Sequence, residues 1–163
     1  MNHTISAVQY IRSQMPSFTP KIGIVLGSGL GEFGNHLEDA TTLPYSEIHS
    51  FPKCSAAGHR GALLLGSIEG VPIACMQGRA HYYEGNAHSA ITIPIRTLKQ
   101  LGCEVLILTN AAASLRTEVQ PGSLVVINDH INFTGQNPLV GLNDDSIGPR
   151  FPSLQNAYDA ELI

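Results

Sequence analysis

Positive charge is scarce in this chain, cysteine is scarcer, and no apolar run is long. Nine Lys and Arg stand against thirteen Asp and Glu, a formal net charge of −4. That argues against a general nucleic-acid binder, which needs a basic face. Any phosphate-bearing ligand must therefore be met by locally focused positive charge. The three cysteines, Cys54, Cys75 and Cys103, are isolated and form no CxxC pair. They read as small residues of a reduced cytosolic protein rather than a disulfide framework. No apolar stretch approaches the ~20 residues of a membrane span. Met1 to Ser6 offers neither a basic n-region nor an apolar h-region, so no signal peptide is visible. A cytoplasmic location is the expectation, with neither membrane nor nucleic acid as partner.

Several motifs are missing too. There is no Gly-Lys-Ser/Thr, hence no P-loop. Ser28 stands in Leu-Gly-Ser-Gly-Leu, not the GxSxG of a nucleophile elbow. HExxH and cysteine–histidine metal spacings are absent, and His81-x-x-Glu84 is assigned a role without metal. Gly29-x-Gly31-x-x-Gly34 spells a dinucleotide fingerprint in the wrong context. The preceding strand ends before Gly27-Ser28, and no clear second strand supplies the acidic ribose contact.

What is present fits one well-packed domain across residues 1–163, with 43% apolar residues. Ile5, Val8, Ile11 and Met15 recur at helical spacing and predict a helix over 5–15, closed by Pro16. Lys21 to Leu26 predicts a buried strand, Leu30 to Leu37 a short helix, and the region of Thr42 an extended piece. Phe51 to Gly61 reads as loop. Ala62–Ile68 and Val71–Met76 flank Glu69-Gly70 and predict a hairpin. A helix follows over 88–100, with Ile91, Ile95 and Leu98 on one face, a kink at Pro94 and a stop at Gly102. Val105–Leu108 and Ser123–Ile127 predict further strands, and 128–152 is a long polar stretch of the kind that is functional or interfacial. Strands alternating with helices make an α/β domain, and the hairpin makes its sheet mixed.

Two segments carry chemistry. The strand 22–26 empties into Gly27-Ser28-Gly29-Leu30-Gly31, offering backbone N–H groups and a hydroxyl to an anion. Gly78-Arg79-Ala80-His81-Tyr82-Tyr83-Glu84-Gly85 adds a guanidinium, an imidazole and a carboxylate at close spacing. Together they describe a phosphate site with ionisable partners. Tyr82 and Tyr83 are adjacent, so only one can line it. His59 lies on a loop in Gly58-His59-Arg60-Gly61. His130, beside Asp129, reads as a satisfied structural group, and His3, His36 and His49 receive no role.

These residues resemble the trimeric, inosine- and guanosine-cleaving type of purine nucleoside phosphorylase. The resemblance is collinear from about Lys21 onward. It rests on Gly27-Ser28-Gly29-Leu30-Gly31, Gly58-His59, Gly78-Arg79-x-His81-x-Tyr83-Glu84-Gly85, Thr109-Asn110-Ala111-Ala112, Asp129-His130-Ile131-Asn132, and Asn137-Pro138-Leu139 leading to Arg150-Phe151-Pro152. It implies a three-layer fold with a central mixed β-sheet flanked by helices, incomplete at the C-terminus. It implies a pentosyltransferase of purine salvage that needs no cofactor, with phosphate as co-substrate. Phosphate attacks C1′ of a purine (deoxy)nucleoside, giving free base and (deoxy)ribose 1-phosphate. By family position Ser28, His59, Arg79, His81 and the Ala111 amide bind phosphate, and His81, Glu84 and Arg79 serve catalysis. Tyr83, Asn110 and Ala112 contact ribose or base. Phe151 reaches a neighbouring subunit of a homotrimer.

Two departures qualify the likeness. Ala113 stands where most relatives have glycine, and a left-handed backbone there would cost roughly 1 kcal/mol. The sequence also stops at Ile163, before the family's base-recognition residues, which implies a truncated domain inactive as written. Methylthioadenosine phosphorylase is the alternative within the superfamily, and a non-catalytic phosphate-binding or assembly-modulating fragment the alternative outside catalysis.

Overall fold

The computed structural model describes residues 3–54 and 58–163. The part of the predicted 51–61 loop at residues 55–57 lies outside the described residues. The chain divides into two units, Met1–Ala112 and Ala113–Ile163.

The first unit is an α/β layer structure. Its elements are α1 (His3–Gln14), β1 (Ile22–Val25), β2 (Glu38–Pro44), β3 (Ala62–Ile68), β4 (Val71–Gln77), α2 (Ser89–Leu101) and β5 (Val105–Leu108). Three 3₁₀ turns, Gly31–His36, Tyr45–Glu47 and Tyr82–Glu84, punctuate it. The sheet has five strands in the order β2-β3-β4-β1-β5. β2, β3 and β4 are antiparallel neighbours, whereas β4, β1 and β5 run parallel. The mixed sheet foreseen from the hairpin is thus present.

Alternation along the strands sorts the core into two faces. Val25, Leu63, Leu65, Ala74 and Met76 point to one, where Ala7, Val8 and Ile11 of α1 and Leu98 and Leu101 of α2 cover them. Ile24, Leu26, Leu64, Ile73 and Cys75 point to the other, with Leu37 from the end of the first 3₁₀ turn. The β3–β4 connection is a two-residue turn between Ile68 and Val71. Glu69 and Gly70 both take positive φ, +50° and +76°. That backbone matches the right-handed twist of the flanking strands.

Both helices form as expected, but each is rotated relative to the predicted stripe. In α1 the buried face is Thr4, Ala7, Val8 and Ile11, while Ile5 is exposed. Small Thr4 and Ala7 let the helix approach its neighbours closely, and Ile5 is displaced to solvent. In α2 the buried face is Ile93, Pro94, Thr97, Leu98 and Leu101. Thr97 is fully buried because its hydroxyl donates to the Ile93 carbonyl at 2.8 Å. The segment predicted as a short helix over 30–37 is a 3₁₀ turn. Gly34 packs closely inside it, and a Cβ there would collide with the Gln77 amide and Leu64.

The second unit contains no helix or strand among the described residues. The strand predicted over Ser123–Ile127 does not form, and Leu124 is 91% exposed. An isolated extended run pairs with nothing and is not stable by itself. Local side-chain bonds shape this unit instead. Asn132, Asn137 and Asp144 accept the backbone N–H groups of Thr134, Leu139 and Ser146, two residues on. His130 meets the Tyr158 hydroxyl at 3.0 Å through Nδ1, in keeping with a satisfied group. Ala113 is not among the residues with positive φ, so the left-handed penalty does not arise.

All three cysteines are free thiols. Burial pushes Cys54 and Cys103 up to about 11 and Cys75 up to about 12, which keeps them protonated and inert at neutral pH. No helix among the described residues is long and apolar enough to cross a membrane.

Candidate functional site

Three neighbouring parallel strands end on the same side of the sheet, and their carboxyl ends carry the polar residues. β1 runs through Leu26 into Gly27-Ser28, β4 runs into Gly78-Arg79, and β5 runs into Thr109-Asn110. Loops at the carboxyl ends of parallel strands are the usual place for ligands in open α/β sheets.

Ser28 Oγ lies 3.4 Å from His59 Nε2. On its other side, the His59 ring accepts the Arg79 backbone N–H at Nδ1, 3.0 Å away. An N–H can only donate, so Nδ1 is bare and Nε2 carries the proton that faces Ser28. The Arg79 carbonyl, 3.2 Å from the same Nδ1, would be a partner only for a ring carrying a proton on Nδ1. Burial is the main influence lowering the His59 pKa, and the neighbouring His81 adds to it. The neutral imidazole is therefore the resident form.

Arg79 is half-buried, and its Nη1 donates to the Thr109 carbonyl at 2.9 Å. One arm of the fork is held by the fold. His81 is held as firmly. Glu84 Oε2 accepts both the His81 backbone N–H at 2.7 Å and the ring Nδ1 at 3.0 Å. The first of these bonds is half of a capping box across the 3₁₀ turn Tyr82–Glu84, and the second directs Nε2 of His81 away from the carboxylate. The His81 ring stacks on Tyr83 at 4.8 Å between centroids and lies 5.0 Å from the His59 ring.

The two tyrosines diverge as expected, though on a 3₁₀ turn rather than a strand. Tyr82 is half-buried, with its hydroxyl on His88 Nδ1. Tyr83 is 79% exposed over His81. Asn110 donates from Nδ2 to the Ala111 carbonyl at 3.3 Å, and Asn110, Ala111 and Ala112 are all exposed.

The structure thus gathers Ser28, His59, Arg79, His81, Glu84 and Tyr83 through direct bonds and ring contacts. Phe151 belongs to the second unit, where it is 88% exposed with the Arg150 guanidinium over its ring.

Three supporting residues escaped the sequence reading. Thr109 bonds to β1, to Gly27 and to Arg79. Tyr45, fully within the core, donates its hydroxyl to the Gly78 carbonyl at 2.8 Å and so fixes the residue before Arg79. Gln77 donates to the Gly31 carbonyl at 3.0 Å and ties the glycine loop to the end of β4. Only Thr109 had a signal, its place at the head of a quoted motif. For Tyr45 and Gln77 nothing in the sequence marks the partner.

Comparison with known proteins defines the class of the chain. The family model of the phosphorylase superfamily matches residues 21–163. The chain belongs to that superfamily, a family of enzymes. Purine nucleoside phosphorylase 1 of Bacillus subtilis is 47% identical over 156 residues, which are 96% of this chain and 57% of the relative. Purine nucleoside phosphorylase 1 of Geobacillus stearothermophilus is 45% identical over 164 residues, 99% of this chain and 60% of the relative. Among solved structures, isoform 2 of the Schistosoma mansoni enzyme, crystallised with cytosine and ribose-1-phosphate, superimposes with a TM-score of 0.90 at 45% identity. The match covers 98% of this chain and 57% of that one. The chain therefore spans somewhat more than half the length of these relatives, and its fold is that of the nucleoside phosphorylases.

Proposed function

We propose that this chain carries the phosphate and ribose side of a purine nucleoside phosphorylase site. The observation that supports it is the convergence of Ser28, His59, Arg79 and His81 at the carboxyl ends of β1 and β4 and the loops beside them. Ser28 donates its hydroxyl to a phosphate oxygen, joined by the Ala111 amide. The free part of the Arg79 fork pairs with two oxygens, and His81 Nε2 meets another. Glu84 fixes the His81 ring and thereby its tautomer. His59 presents Nε2–H at the mouth.

In this reading phosphate attacks C1′ as the bond to the purine lengthens. The anion stabilises the positive charge that develops on the ribose ring, and holding it in line supplies the proximity term. Tyr83, Asn110 and Ala112 line the sugar and base side. The exposure of Phe151 leaves it free to insert into a neighbouring subunit, and the family resemblance makes the working assembly a homotrimer. The two units are read as parts of one catalytic domain, because a single family match runs through both. The same reading carries a cytoplasmic enzyme of purine salvage.

Isothermal titration with inorganic phosphate tests the site. Saturable binding is expected, and Arg79→Ala weakens it about ten- to a hundredfold, the loss of a charge-assisted pair. A chain that takes up no phosphate contradicts the reading. Release of hypoxanthine from inosine, followed with and without phosphate, tests the reaction class. Release independent of phosphate excludes phosphorolysis.

A further inference from the structure

Among the residues at the strand ends, Thr109 joins the largest number of the parts that the site needs. It is the first residue after β5. Its backbone N–H donates to the Val25 carbonyl at 3.0 Å. Its Oγ1 donates to that same carbonyl at 3.1 Å and accepts the Gly27 N–H at 2.8 Å. Its own carbonyl accepts Arg79 Nη1 at 2.9 Å. The hydroxyl has one proton, and Val25 takes it. A lone pair then faces Gly27. One residue therefore fixes both the amide that precedes Ser28 and the guanidinium.

Close packing shows how little slack remains. A Cβ on Gly27 would lie 2.5 Å from the Thr109 carbonyl, 2.8 Å from Asn110 Cα and 2.9 Å from Arg79 Nη1. The loop before Ser28, the end of β5 and the Arg79 head are in mutual contact. Threonine suits the place because its β-branch restricts χ1 and holds the hydroxyl in one direction. Serine keeps the bonds with a looser rotor. Valine keeps the shape and leaves the Gly27 N–H without its acceptor.

We propose that Thr109 is a positioning residue of the anion site. It sets the Gly27-Ser28 loop and the Arg79 guanidinium in their binding arrangement before the anion arrives. It acts through Ser28 and Arg79, and the inference rests on the phosphate-site reading given above.

Phosphate titration of five chains tests it: wild type, Thr109→Val, Thr109→Ser, Ser28→Ala and the Ser28→Ala/Thr109→Val double variant, which closes a double-mutant cycle. T109V is expected to bind phosphate about tenfold more weakly, the effect of one stranded amide on its neighbour. T109S is expected to stay within about threefold of wild type. The double variant should lose clearly less than the product of the two single effects, because Thr109 works through Ser28. A residue that merely supports the fold would lower the urea midpoint and leave the two binding effects multiplicative. Wild-type affinity in T109V, or strictly multiplicative losses, overturns the inference and leaves the phosphate site standing. A wild-type chain that binds no phosphate removes the site reading and this inference with it.

If T109V does not fold, amide exchange on the wild type decides. The Gly27 N–H should be protected without phosphate, since its acceptor is already in place. Free exchange at Gly27 overturns the proposal.

Discussion

At the scale of single residues, the candidate site depends on contacts that leave no spare volume. Gly27→Ala would push a methyl into the Thr109 carbonyl and the Arg79 head. We expect a loss of about 1–3 kcal/mol in urea denaturation, typical of overpacking. An unchanged midpoint would contradict the close approach. His59 gives a pH signature. Its folded-state pKa is lowered by burial and by His81. The folded protein then binds fewer protons than the unfolded chain just below the ordinary imidazole value of about 6.5, so stability rises with pH through that window. The contribution is full above that value and is lost as the solution is acidified. Urea midpoints of wild type and His59→Gln, compared between about pH 5 and about pH 8, should converge on the acid side. Parallel curves would show that His59 is not the group responsible.

Ser28, Arg79, His81 and Glu84 were legible as candidates because their side chains advertise anion chemistry in compact motifs. Thr109 stands at the head of a motif, but its role was hidden, since its contribution lies in a carbonyl and a hydroxyl aimed at residues far away in the chain. Tyr45 and Gln77 were hidden for the same reason, their partners being backbone carbonyls.

The elements show a related division. Helices and strands of the first unit fall close to where apolar periodicity put them, and Glu69-Gly70 marks its turn without error of register. Which face of each helix is buried was harder to read. Periodicity favours the largest apolar residues, yet close packing selects Thr4 and Ala7 over Ile5, and admits Thr97 once its hydroxyl is bonded within the helix. Ser123–Ile127 illustrates the opposite failure. Its β-branched run has strand propensity, but propensity without a partner yields an exposed segment. Packing of α2 is testable at Leu98, which is 1% exposed where both helices meet the sheet. Leu98→Ala should cost about 2–5 kcal/mol in the same urea experiment. A loss below about 1 kcal/mol would show that α2 is not seated on the sheet.

For the whole molecule, the decisive feature is the outer edge of the sheet. β5 pairs with β1 on one side, and no strand pairs with its other side among the described residues. Leu106, Ile107 and Leu108 are exposed there. An uncharged apolar edge is a template for pairing with another chain. The 163-residue chain is therefore expected to self-associate with rising concentration in sedimentation velocity. Leu108→Lys, at a position 64% exposed, should suppress association without lowering the urea midpoint. Association unaffected by that charge would place the contact elsewhere.

The strand order also sets a schedule. β1 is made early yet ends in the interior of the sheet, between β4 and β5, which emerge from the ribosome later. The Gly27 amide must wait 82 residues for its acceptor, and the Arg79 guanidinium waits 30 for the same residue. A nascent chain that already displays Ser28, His59, Arg79 and His81 still lacks the clasp that aligns them. On the proposed reading, phosphate finds its binding arrangement only once the fifth strand has docked and the sheet has closed.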